Sequence, residues 1–89
     1  MGGYRPSENV VFTSLFDGTG VLLDLRTKLY YTLNETGRLI WEQLERGLGP
    51  EEIARRLSEE YEISPEEALR EVEEFLGKLR EEGLVEAEG

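Results

Sequence analysis

The 89-residue chain contains no cysteine and no histidine. Without cysteine there can be no disulfide framework, thiol nucleophile or thiolate metal ligand, and nothing points to an oxidising compartment. Without histidine the chain lacks the side chain most used for proton transfer near neutral pH and for binding transition metals. A metal would have to be held by carboxylates alone, and those stand in runs such as Glu51-Glu52, Glu59-Glu60, Glu66-Glu67 and Glu81-Glu82 that read as solvated helix faces. Neither a metal nor a cofactor is therefore expected. Ser14, Ser58 and Ser64 have no base to activate them. Gly18-Thr19-Gly20 is the nearest approach to a phosphate-binding loop, but it leads into a strand and carries no lysine. The reading is a protein without an active site.

Positive charge is also scarce: 10 Lys and Arg stand against 20 Asp and Glu, for a net charge of −10. Residues 1–48 carry six acids and five bases, and residues 49–89 carry fourteen and five. Such a balance repels phosphate backbones and anionic bilayers, so neither nucleic acid nor membrane is an expected partner. No apolar run approaches the roughly 20 residues of a membrane helix, and the N-terminus lacks a signal-peptide pattern. Cytoplasmic location is the expectation.

Three short runs rich in β-branched and aromatic residues read as strands: Val10-Val11-Phe12, Val21 to Leu25, and Leu29-Tyr30-Tyr31-Thr32-Leu33. Asp17-Gly18-Thr19-Gly20 and Arg26-Thr27-Lys28 connect them. Connections this short predict an antiparallel meander whose first and third strands are edges with unpaired backbone. Three helices follow. Asn34 caps the first, over about 35–46, which Gly47 stops; Pro50 starts the second, which ends near Glu62; Ser64-Pro65-Glu66-Glu67 starts the third, over 65–82, which Gly83 closes. The last two resemble a helix-turn-helix pair, and Leu84-Val85 is a short apolar tail able to fold back. The predicted class is α+β: a winged helix-turn-helix-like domain with a three-stranded antiparallel sheet followed by three α-helices. Residues 1–8 are expected to be a flexible N-terminal segment and 9–86 a single domain.

The segment Leu22 to Gly37, with Ile40-Trp41, Leu44, Glu52-Ile53-Ala54, Leu57, Tyr61, Val72, Phe75-Leu76, Leu79 and Gly83-Leu84-Val85, resembles the PqqD-like family. The resemblance covers roughly residues 9–86. It implies a peptide-recognition element of ribosomally made, modified peptides, and a free-standing one, as in lasso-peptide pathways. There the implied partners are a precursor leader peptide, a transglutaminase-like leader protease and a macrolactam-forming cyclase. The other home the resemblance implies is the quinone-cofactor pathway, where the partner is a radical-SAM enzyme.

Such a module is expected to receive the leader as an added strand beside residues 29–33, in a groove against the third helix. The candidate binding residues are Leu29, Tyr30, Tyr31, Thr32 and Leu33 on the strand. On the helix they are Glu67, Ala68, Leu69, Arg70, Glu71, Val72 and Phe75. Successive strand residues face opposite ways, so one of Tyr30 and Tyr31 should pack inward and the other lie outside. Leu33, Val72, Leu76, Leu79 and Trp41 also fit a core, which a domain this small needs. Two competing readings share the fold. A winged-helix DNA reader conflicts with the third helix, where seven acids face three bases over 65–82. A structural or dimerisation subunit would use the same edge strand to pair with its own copy, making a monomer or weak dimer the expected state.

Overall fold

The structure, a computed structural model, describes residues 3–88. Its elements run β1 (Tyr4–Pro6), β2 (Val10–Ser14), β3 (Gly20–Asp24), β4 (Leu29–Leu33), α1 (Glu35–Glu45), α2 (Pro50–Tyr61), α3 (Pro65–Glu81) and β5 (Val85–Ala87). The three-stranded sheet has the order β2-β3-β4 and is antiparallel throughout, with Leu22 opposite both Phe12 and Tyr31. The predicted α+β arrangement of meander then helices is what forms.

Local chemistry explains where the helices start. Asn34 sits in extended backbone and its Oδ1 accepts the Gly37 amide at 2.8 Å, satisfying one of the free donors of α1. Ser64 does the same for α3, its Oγ accepting the Glu67 amide at 3.1 Å. Pro50 and Pro65 fall in first turns, where a missing N–H costs nothing.

Alternation along the strands sets the layers. Gly20, Leu22 and Asp24 of β3 are buried, whereas Val21 and Leu23 lie on the outer side. The inner face meets a core of Leu22, Leu33, Ile40, Trp41, Leu44, Ile53, Leu57, Ala68, Val72, Leu76, Leu79 and Leu84. Trp41 is fully buried, its ring centroid 6.4 Å from that of Phe12, which ties α1 to β2. Burying a side chain of this size stabilises the fold by roughly 1.5–3 kcal/mol. α2 and α3 pack most extensively on each other, completing the helical layer. No helix among the described residues is long and apolar enough to cross a membrane.

One element went unforeseen. Residues 1–8 were expected to be a flexible segment, yet Tyr4–Pro6 forms β1 and pairs antiparallel with β5, Tyr4 opposite Ala87 and Pro6 opposite Val85. The Ser7 amide donates to the Leu84 carbonyl at 2.9 Å, and Arg5 forms an ion pair with Glu86 at 3.0 Å. Met1 and Gly2 lie outside the described residues. The Leu84-Val85 tail does fold back, with both residues buried. Because it pairs with β1, it leaves the edge of β4 uncovered.

Candidate peptide-binding edge and cleft

Which backbone groups lie free on β4 follows from the ladder. The Leu25 amide donates to the Asn9 carbonyl at 2.8 Å and the Leu15 amide to the Thr19 carbonyl at 2.9 Å, both in the register that joins β2 to β3. Bonded pairs alternate along an antiparallel ladder, so Val21, Leu23 and Leu25 turn their backbone towards β2. Gly20, Leu22 and Asp24 then turn theirs towards β4, where they meet Leu33, Tyr31 and Leu29. Tyr30 and Thr32 are left pointing the other way. Their two N–H and two C=O groups face an edge with no strand beside it among the described residues.

The same alternation sorts the side chains. Tyr30 and Thr32 stand on the outer face, and Tyr30 is 70% exposed. Leu29, Tyr31 and Leu33 share the inner face, grading from exposed through half-buried to buried along the strand. One tyrosine in and one out is the expected arrangement, and Tyr31 is the inner one.

Across from this edge runs the C-terminal half of α3. Tyr31 Oη donates to Glu82 Oε1 at 3.2 Å, bridging strand and helix at one end. Burial, followed by the adjacent Glu82 carboxylate, raises the Tyr31 pKa and keeps its proton in place for that bond. At the other end, Phe75 packs against the first turn of α1, where a larger residue would be crowded: a Cβ on Gly37 would lie 3.2 Å from Phe75 Cζ and 3.3 Å from the Asn34 oxygen that caps the helix. Beside this contact opens a cleft of about 450 Å³ lined by Asn34, Thr36, Gly37, Ile40, Glu71, Glu74, Phe75 and Lys78.

Asp24 braces the turn that leads into β4. Its Oδ1 accepts the Arg26 amide at 2.9 Å and the Thr27 amide at 3.4 Å, and Oδ2 lies 3.5 Å from the Arg26 guanidinium. Burial by itself raises this carboxyl, but the two amides and the Arg26 charge outweigh it and hold the pKa below the ordinary carboxylate value.

The sequence-derived site is therefore assembled in part. Leu29, Tyr30, Tyr31, Thr32 and Leu33 form the edge, and Glu71 and Phe75 line the cleft beyond it. Ala68 and Val72 do not line the cleft: both are fully buried in the core, which their place on the apolar stripe of α3 dictates. Leu69 faces a different hollow, with Ala54, Ser58 and Pro65 on the α2 side. Glu67 and Arg70 are exposed and outside the cleft lining. Outside the sequence-derived set, Asn34, Thr36, Gly37, Ile40, Glu74 and Lys78 also line the cleft, and Glu82 accepts from the Tyr31 hydroxyl. A signal for the helical ones existed: positions 71, 74, 75, 78 and 82 recur at spacings of three and four, a stripe beside the core stripe of 68, 72, 76 and 79. No group of acidic residues among the described ones is arranged to hold a metal ion.

A winged helix-turn-helix-like α+β domain with an open strand edge beside a cleft is the class these features define. The chain belongs to the family described as coenzyme PQQ synthesis protein D (PqqD), which matches residues 19–85. Two solved structures are similar over nearly the whole chain. One, TbiB1 in complex with the TbiA(beta) leader peptide, is 34% identical, covers 96% of this chain and 98% of its own, and superposes with a TM-score of 0.88. The other, a lasso peptide synthetase B1 complexed with the leader peptide, is 31% identical, covers 94% and 98%, and has a TM-score of 0.85. No curated protein matches the chain.

Proposed function

We propose that this protein is a non-catalytic binding module that captures the leader of a ribosomally made precursor peptide as a fourth strand beside β4. In that role it presents the peptide to the enzymes of a lasso-peptide pathway, a leader protease and a macrolactam-forming cyclase. The observation that carries the reading is the open edge at Tyr30 and Thr32 running directly towards the cleft between α1 and α3. Support comes from the two similar structures, both of which hold leader peptides.

Four new backbone bonds at about 1 kcal/mol each roughly offset the few kcal/mol needed to order a flexible peptide. Affinity must come from side chains. Leader residues opposite Leu29, Tyr31 and Leu33 share the inner face and turn towards α3, whereas those opposite Tyr30 and Thr32 extend the outer face. Fluorescence anisotropy with labelled TbiA(beta) leader peptide tests the reading. Saturable binding that is lost when the peptide backbone is N-methylated at the residue paired with Tyr30 or Thr32 is the expected result. A folded protein that binds no leader, and that light scattering shows as a dimer abolished by Thr32→Pro, would instead assign the edge to self-pairing.

A further inference from the structure

We infer that the leader segment accepted by this protein carries a lysine or arginine on the N-terminal side of its paired stretch, received by Glu71 and Glu74 at the mouth of the α1/α3 cleft. This deepens the function proposed above and rests on it.

Direction comes first. Every pair in the sheet is antiparallel, and a strand added in the same sense beside β4 runs from Leu33 towards Leu29. Its N-terminal part then passes the start of α1 and the cleft, and its C-terminal part leaves past Tyr31 and Glu82. Residues that lie one and three positions before the one paired with Thr32 have the inner-face orientation that turns them towards α3.

Chemistry at that end is mixed in a particular way. Phe75, Gly37 and the buried Ile40 supply an apolar surface, suited to the methylene stem of a long side chain. The exposed rim carries two carboxylates, Glu71 and Glu74, against one ammonium, Lys78. None of the three belongs to an ion pair among the described residues, whereas the acids of α2 do: Glu52 and Glu59 are both held by Arg55. The rim therefore keeps an excess of one negative charge, in a chain of net charge −10. An aliphatic stem with a cationic head satisfies both surfaces; an acidic side chain meets repulsion from the rim.

The test uses the labelled TbiA(beta) leader as scaffold, with each residue replaced in turn by lysine and by glutamate, and anisotropy titrations at about 50 mM and 500 mM salt. At one position N-terminal to the paired stretch, lysine should bind at least about fivefold more tightly than glutamate at low salt, the size expected of two exposed ion pairs. That preference should shrink at high salt. It should vanish in Glu71→Gln/Glu74→Gln and widen in Lys78→Gln, all exposed positions whose circular dichroism reports the fold. Saturable binding with no lysine preference, with a preference only on the C-terminal side, or with one that survives the double variant overturns this inference and leaves the proposed function standing. Absence of binding by every peptide overturns the proposed function itself.

Discussion

A methyl group on Gly37 would stand 3.2 Å from Cζ of Phe75, closer than a side-chain carbon ordinarily sits. Alanine is favoured over glycine inside a helix by about 1 kcal/mol, so Gly37→Ala gains in α1 what it loses by displacing the ring. The expected result is a melting temperature within a few degrees of the parent and leader affinity weakened about tenfold as Phe75 shifts into the cleft. The double variant Gly37→Ala/Phe75→Leu, with room restored, should recover part of that affinity, a non-additivity that a thermodynamic cycle measures directly.

Proline at two neighbouring positions should separate edge from ladder. Thr32→Pro removes an N–H that pairs with nothing on the open side, so circular dichroism should be retained while leader affinity drops at least about fivefold. Tyr31→Pro removes an N–H on the side of Leu22 and should cost about 3 kcal/mol or more of stability. Equal destabilisation by both would contradict the ladder alternation deduced for β4.

Core and cleft positions on α3 should part company in the same way. Val72→Ala, at a fully buried site, should cost about 2 kcal/mol and lower the melting temperature by roughly 10 °C. Its affinity measured on the folded fraction should be unchanged. Phe75→Ala, at a half-buried site lining the cleft, should be milder in stability and should weaken leader binding about tenfold. The reverse pattern would place Val72 in the groove after all.

Acid titration should report on Asp24. Its folded pKa lies below the ordinary value, so the ionised group contributes stability above about pH 3.9, and that contribution fades as pH falls through the folded value. Asp24→Asn keeps an acceptor for the Arg26 and Thr27 amides but loses the charge. Its melting temperature should fall below the parent's at pH 7, with the gap narrowing below about pH 4. A gap constant with pH would show that the charge of Asp24 contributes nothing.

Much of the fold was legible because local signals agreed with one another. Asn34, Pro50 and Ser64-Pro65 announced three helix starts, and the short connections around Val21–Asp24 fixed a meander with β3 in the middle. β1 escaped because Tyr4-Arg5-Pro6 is only three residues long and includes a proline, and its strand character comes from a partner 81 residues away. The site was half legible for a related reason. Periodicity identifies the face of α3 but not which of its turns passes β4, so the expected set ran from Glu67 to Phe75, whereas the cleft lining on α3 starts at Glu71 and continues past Phe75 to Lys78. Gly37 could not be weighed at all from sequence, since the ring that crowds it lies 38 residues further on.

The ribbon formed by Tyr4–Pro6 and Val85–Ala87 brings the two ends of the described chain side by side, about 5 Å apart at opposing residues, in a sheet that excludes β4. A unit whose ends meet can be spliced into a surface loop of another polypeptide without prising that host apart. The β4 edge would remain at liberty in such an insert.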